Sequence, residues 1–309
     1  MLGRGGRALN LNSDIHSDED RMNMFLARKQ AIDEHNKNSK TFKRALNNFA
    51  DMSPQEVVAR HTGLVLANRK PKGSGYDGRG LGRALGFGAS LPRRFDWRDR
   101  GALTEPRNQG SCGCCWAFAA TAAMEAKNFI RTKRLVALSE QNLLDCDTIN
   151  DKCEGGTPWD AFDWIQSNGG QEENEKYPYE VLPDRCRQDR GRLWRLQVRG
   201  YMSVVPASED NVMAALIAEG PLTVAVNAVL ASFQDYQEGV YSDPECSAAD
   251  EFLHHSMVLV GYGDDPWDGP YWTLRNSWGR DWGEAGYIRV SRLNNLCGVM
   301  TYVVFPSLD

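Results

Sequence analysis

Apolar positions near the start of the chain recur at helical spacing. Met24, Phe25, Ala31 and Ile32 fall among Arg, Lys, Asp and Glu, which predicts charged helix over 18–60. Asn47-Asn48-Phe49-Ala50-Asp51 interrupts the pattern, and Ser53-Pro54-Gln55-Glu56 reads as a fresh helix start, with a capping hydroxyl, a first-turn proline and an acid. Over 65–90 the periodicity lapses. Gly73, Gly75, Gly78, Gly80, Gly82, Gly86 and Gly88, mixed with Arg and Lys, predict a flexible, protease-sensitive connection. A second helix is expected from 116 to about 134, free of Gly and Pro and closing on Arg131, Lys133 and Arg134. Thr157-Pro158-Trp159-Asp160 starts a third, which Gly169-Gly170 ends. After residue 200 the pattern turns to strands, over 222–228, 257–262, 271–275 and 287–290. A helical half joined to a strand half leaves a cleft at their seam.

Composition refines this picture. The 309 residues are 41% hydrophobic and 25% charged, as in ordinary globular proteins, and no apolar run reaches a membrane span. Residues 1–90 carry 15 Lys and Arg against 9 Asp and Glu, whereas residues 91–309 carry 21 against 32. The two parts attract each other, and the acidic body argues against nucleic acid as a partner. The eight cysteines all lie beyond residue 110, spread over loops and element ends, which suits disulfides in an oxidising compartment. No paired CxxC motif exists and the five histidines are His16, His35, His61, His254 and His255, so a zinc site is not expected; no other metal and no cofactor is expected. The first residues lack the apolar core of a secretory signal, and the true N-terminus is expected upstream.

Candidate chemistry centres on Gln109-Gly110-Ser111-Cys112-Gly113-Cys114-Cys115-Trp116. This run puts a thiol on the first turn of a helix, where unpaired N–H groups favour the thiolate nucleophile. Such a nucleophile needs a base, and the base needs an orienting group. His255 opens one strand and Asn276 follows another, so imidazole and carboxamide can meet, with Trp278 covering their contact.

These motifs resemble the papain family of cysteine proteases: the run from Gln109 to Phe118, His255 six residues before Gly261-Tyr262-Gly263, Asn276-Ser277-Trp278-Gly279, and Trp282-Gly283-Glu284. The resemblance implies an α+β, papain-like fold of two domains. A helical domain of about 91–200 and a β-barrel-like domain of about 201–309 would form the peptidase, 91–309. It also implies that Cys115 is the nucleophile, His255 its partner and Asn276 the orienter. Gln109 and the Cys115 N–H would form the oxyanion hole. The implied disulfides are Cys112–Cys153, Cys146–Cys186 and Cys246–Cys297, leaving Cys114 and Cys115 free. Gly155 and Gly156 would pair with substrate backbone. Thr157, Pro158, Ala225, Leu253 and Tyr302 would line a pocket favouring hydrophobic or aromatic side chains two positions before the cut.

The first segment resembles the inhibitory propeptide of the cathepsin L-like branch, over 1–64, with 65–90 as the activation linker. Arg21, Phe25, Ile32 and Asn36 fall on its helical motif and Ala45–Asp51 on its second, while Arg28 stands where Asn is usual and Ala45 where Gly is. Cys114 stands where Ser is usual, and His254 where a carboxylate or a small residue is. The resemblance implies a monomeric endopeptidase, lysosomal or secreted. It would cut peptide and protein substrates, be inhibited in cis by its own propeptide, and be open to cystatin-type inhibitors. Falling pH would protonate carboxylates and loosen the propeptide. Two other readings compete: a silent binding protein that keeps the fold, opposed by the intact site residues, and a redox protein using Cys114 and Cys115, disfavoured by their adjacency.

Overall fold

The computed structural model describes residues 16–66, 70–77, 91–194 and 198–308. Most of the glycine-rich run, including 78–90, lies outside the described residues. Helix α1 (Asp18–Asn38) starts at a capping box in which Ser17 and Asp20 satisfy each other's backbone N–H groups. The helix expected through residue 60 ends there. Asn36 accepts from the Arg44 N–H at 2.9 Å and donates to the Arg44 carbonyl at 2.7 Å. This folds the chain back into strand β1 (Phe42–Arg44) instead. Helix α2 (Pro54–His61) begins where expected, with Ser53 Oγ accepting from the Glu56 N–H at 3.1 Å. Part of the expected linker is ordered as strand β2 (Ser74–Tyr76).

The remaining elements are β3 (Phe95–Asp96), α3 (Cys115–Thr132), α4 (Glu140–Cys146), α5 (Pro158–Asn168), β4 (Gln171–Glu172) and β5 (Leu193–Trp194). They continue with β6 (Val198–Val204), α6 (Glu209–Glu219), β7 (Leu222–Val226), α7 (Ala231–Gln234), β8 (Tyr236–Tyr241), β9 (His255–Asp265), β10 (Gly269–Arg275), β11 (Tyr287–Ser291) and β12 (Val303–Leu308). The architecture is α+β, a helical domain against a sheet domain. The main sheet runs β1-β8-β11-β10-β9-β7-β12-β6-β2, with β3 on β9, and β4 pairs β5 separately. Both ends of that path come from the first segment: β1 lies antiparallel on β8 and β2 parallel on β6.

Two cores result. One gathers Val224, Phe233, Trp272, Trp282 and Phe305 from the strand half, and Phe42, Phe49 and Val57 of the first segment join it. The other gathers Trp116, Met124, Leu143, Leu144 and Phe162 from the helical half, joined by Leu64. A third cluster, with Ala119 and Ala122 of α3 against Val258 and Val260 of β9, closes the seam. The chain crosses between halves at its ends. Phe95 and Trp97 pack in the strand core, and Val304 packs in the helical one. Disulfides join Cys112–Cys153, Cys146–Cys186 and Cys246–Cys297, as the resemblance implies, and Cys114 and Cys115 are free thiols.

Candidate active site

Helix α3 fixes the first side chain. Cys114 is its N-cap and offers no side-chain bond to the first turn. The Cys115 and Trp116 N–H groups therefore turn toward the Cys115 sulfur and favour its thiolate, against the larger opposing effect of burial. Trp116, Ala117 and Ala120 are fully buried, so the turn cannot drift. Across the seam, the backbone N–H of Ser256 donates to Cys115 Sγ at 3.4 Å. The sulfur thus lies against the first residues of β9, where His255 stands opposite Val226 of β7.

Asn276 follows the end of β10 and is held by its N–H on the Gly286 carbonyl at 2.9 Å. Its Oδ1 accepts the Ser277 N–H at 2.8 Å and lies 2.7 Å from His255 Nε2. The Ser277 N–H identifies that atom as the amide oxygen, which carries no proton to donate, so Nε2 carries the proton and Nδ1 is the free base. His255 Nδ1 is buried with no hydrogen-bond partner among the described residues. Trp278 stacks on the His255 ring at 4.8 Å and shields this bond from water. Gln109 is clamped on both sides: Ser277 Oγ donates to its Oε1 at 2.6 Å, and its Nε2 donates to the Cys112 carbonyl at 2.7 Å. Its backbone N–H reaches the Ser277 carbonyl at 2.9 Å.

Burial pushes the Cys115 thiol up to about 12 and the His255 imidazole down to about 4. Ser256 and the helix N–H groups partly oppose the first shift, and Asn276 the second. Burial under the closed arrangement thus disfavours the charged form of each group. The cause is the cover over them.

That cover is residues 61–66. The His61 carbonyl accepts from Trp278 Nε1 at 2.8 Å on the strand side. Gly63 and Leu64 both donate N–H groups to the His254 carbonyl, at 3.0 and 2.9 Å. On the helical side Gly156 donates to Gly63 at 2.9 Å and accepts from Val65 at 3.1 Å, so Leu64 runs parallel to Gly156. Approach is so close that a Cβ on Gly63 would stand 1.9 Å from the Gly113 carbonyl oxygen. The Gly155-Gly156 edge thus carries a chain segment. Leu64 sits in one apolar cluster with Ala225, Leu253 and Trp159, and Tyr302 packs against it. Thr157 is buried, and its Oγ caps α5 by accepting from the Asp160 N–H at 3.1 Å. Pro158 is buried in the first turn of the same helix.

Sequence reasoning gave no role to Ser256, Ser277, Trp159 or Tyr179. Ser277 was visible as part of the Asn276-Ser277-Trp278-Gly279 motif. Tyr179 lies in an irregular stretch and has no such signal; it donates its hydroxyl to the Gln109 carbonyl at 2.7 Å.

Residues 91–307 match the model of the papain family cysteine proteases, and residues 13–57 match the cathepsin propeptide inhibitor domain. A cathepsin L-like protein of Caenorhabditis elegans is 38% identical over 294 residues, covering 92% of this chain and 84% of that protein. Procathepsin L of Felis catus is 38% identical over 281 residues, covering 89% and 81%. Among solved structures, digestive procathepsin L 3 of Tenebrio molitor superposes with a TM-score of 0.82 at 33% identity, covering 96% of this chain and 95% of that one. The chain therefore belongs to the papain family of cysteine proteases and is a cathepsin L-like zymogen that carries its inhibitory propeptide.

Proposed function

We propose that Cys115 and His255 carry out endoproteolysis once residues 61–66 leave the cleft. The reading rests on one arrangement: His255 Nε2 meets Asn276 Oδ1 while Nδ1 stays unpartnered, and the backbone N–H of the next residue, Ser256, donates to the Cys115 sulfur. With the cover removed, water and a substrate dipole replace apolar neighbours, and the proton moves from Sγ to Nδ1. The thiolate attacks the scissile carbonyl carbon, and the oxyanion is held by Gln109 Nε2 and the Cys115 N–H. Imidazolium gives its proton to the leaving amine, which departs from a thioester acyl-enzyme. His255 then takes a proton from water, whose hydroxide releases the acid and regenerates the thiol.

Gly155 and Gly156 would take substrate backbone as an added strand. The cluster of Ala225, Leu253, Trp159 and Tyr302, filled by Leu64 in the zymogen, supports an apolar or aromatic preference two residues before the cut. Three disulfides suit a lysosomal or secreted monomer, with cystatin-type proteins as further inhibitors.

The test is active-site labelling with an epoxide inhibitor after mild acid treatment. Labelling lost in Cys115→Ala and kept in Cys114→Ser supports the mechanism. Labelling that follows Cys114, or none after the propeptide has been cut, overturns it.

A further inference from the structure

A propeptide cation is seated beside residues read above as lining the specificity pocket. Lys70 Nζ lies 2.8 Å from Asp250 Oδ2, and Tyr302 donates its hydroxyl to the same oxygen at 2.9 Å. The ammonium also stands over the Tyr302 ring, 5.7 Å from its centroid. Asp250 begins the short turn Asp250–Phe252, which leads directly into Leu253. Leu253, Ala225 and Trp159 belong to the apolar cluster against which Tyr302 packs, and the Trp159 and Tyr302 rings lie 6.2 Å apart. A carboxylate therefore stands beside the apolar cluster read above as the specificity pocket.

We propose that Asp250 and Tyr302 form a cation-binding rim on this pocket, so that the activated protease takes Lys and Arg side chains two positions before the cut, as well as apolar ones. The inference rests on the protease reading above and deepens it. Its physical basis is the two-part character of a long basic side chain. The aliphatic stem covers apolar surface while the charged head reaches a polar rim. Here the head meets a carboxylate and the face of an aromatic ring together, and the ring quadrupole adds to the attraction. Tyr302 aims the carboxylate by holding one of its oxygens. Lys70 belongs to the segment expected to be cut away, so activation vacates the rim. The Lys70 ammonium, and then the Tyr302 hydroxyl, hold the Asp250 carboxyl below its ordinary range, so the pair persists in mild acid.

The experiment uses the full-length zymogen after acid processing. It compares kcat/KM on peptides that differ only in carrying Phe, Lys, Arg or Glu at that position. Lys and Arg peptides are expected to be cut within about tenfold of Phe, and Glu far more slowly. Asp250→Asn is nearly isosteric at a half-exposed position, and should lower the Lys-to-Phe and Arg-to-Phe ratios roughly fivefold. Raising salt to about 0.5 M should lower those ratios in the wild type and leave them level in the variant. Wild-type enzyme that cuts the Phe peptide, with basic-to-Phe ratios unmoved by Asp250→Asn, overturns the proposal. If that variant fails to process, wild-type ratios indifferent to salt overturn it equally. A processed enzyme that cuts none of the four peptides overturns the protease reading instead.

Discussion

Cys114 and Cys115 are neighbours in sequence and both fully buried, yet their sulfurs meet different partners. Cys115 faces Ser256 across the seam, while Cys114 Sγ lies 3.1 Å from the Tyr179 hydroxyl inside the helical half. Burial pushes the Cys114 thiol above its ordinary range, so it stays protonated and donates to Tyr179. Tyr179 in turn holds the Gln109 carbonyl, and Ser277 holds the Gln109 side chain. Two hydrogen bonds from opposite sides thus keep Gln109, the proposed oxyanion donor, in place. Tyr179→Phe and Ser277→Ala should each lower kcat about five- to tenfold with little change in KM, since each loosens a group used only in the transition state. Steady-state kinetics on one peptide checks this, and an effect on KM alone would count against it. Cys114→Ser keeps a small hydroxyl donor there and should retain most of the activity. The sequence makes Cys115, His255, Asn276 and Gln109 legible because each sits in a contiguous motif. Tyr179 was illegible because its link to Gln109 is made through space, between segments 70 residues apart.

At the scale of elements, starts and stops were readable where a local side chain makes them. Thr157 caps α5, Ser53 caps α2, and Gly169 ends α5 at φ 81°, each where the sequence placed it. Strands β1 and β2 were not readable. Phe42–Arg44 is a strand only because β8 offers an open edge, and Ser74–Tyr76 only because β6 does. A sequence pattern three residues long cannot announce a partner so distant. Arg28 shows the same limit. It departs from the propeptide motif, and its reason lies across the interface: its guanidinium donates to the Phe49 carbonyl at 2.8 Å and to Asp235 at 3.1 Å. Arg44 reaches the other oxygen of Asp235 at 2.8 Å. One enzyme carboxylate, fully buried, thus clamps α1 and β1 together. Asp235→Ala strands buried guanidinium charge, at a cost of about 3–5 kcal/mol. The variant zymogen should show peptidase activity at neutral pH before any cut, where the wild type shows none. Processing removes Arg28 and Arg44 together, so the variant's thermal midpoint after processing should move far less than the zymogen's.

Taken whole, the molecule is a basic segment laid over an acidic enzyme, which makes pH the natural release signal. The expected agent was carboxylate protonation. Asp235 does not act that way. Burial raises its carboxyl above the ordinary value despite Arg28 and Arg44, so it binds a proton more readily when covered, and acid at this site favours the closed state. The histidines have the opposite sign. Burial lowers His35, His61 and His254, because each imidazolium is poorly solvated while the propeptide is docked, whereas in the proposed mechanism His255 takes its proton from Cys115 and adds no net uptake. Each of the three takes up a proton more readily once the cleft opens. The closed state therefore keeps its full stability above about pH 6.5 and loses it progressively as the pH falls below that. His61 is the group best placed to act. Its ring lies 5.0 Å from that of Phe49 and its carbonyl holds Trp278, so charging it strains the joint between α2 and the catalytic cleft. Zymogen processing, followed as a first-order rate between pH 7 and 4, should accelerate steeply across this window. His61→Gln removes one titrating group and should flatten the slope of log rate against pH by up to one proton. His35→Gln should act in the same direction but more weakly, because its ring is less deeply covered. A slope unchanged in both variants would return the trigger to the exposed carboxylates, beginning with Asp250 and its contact to Lys70.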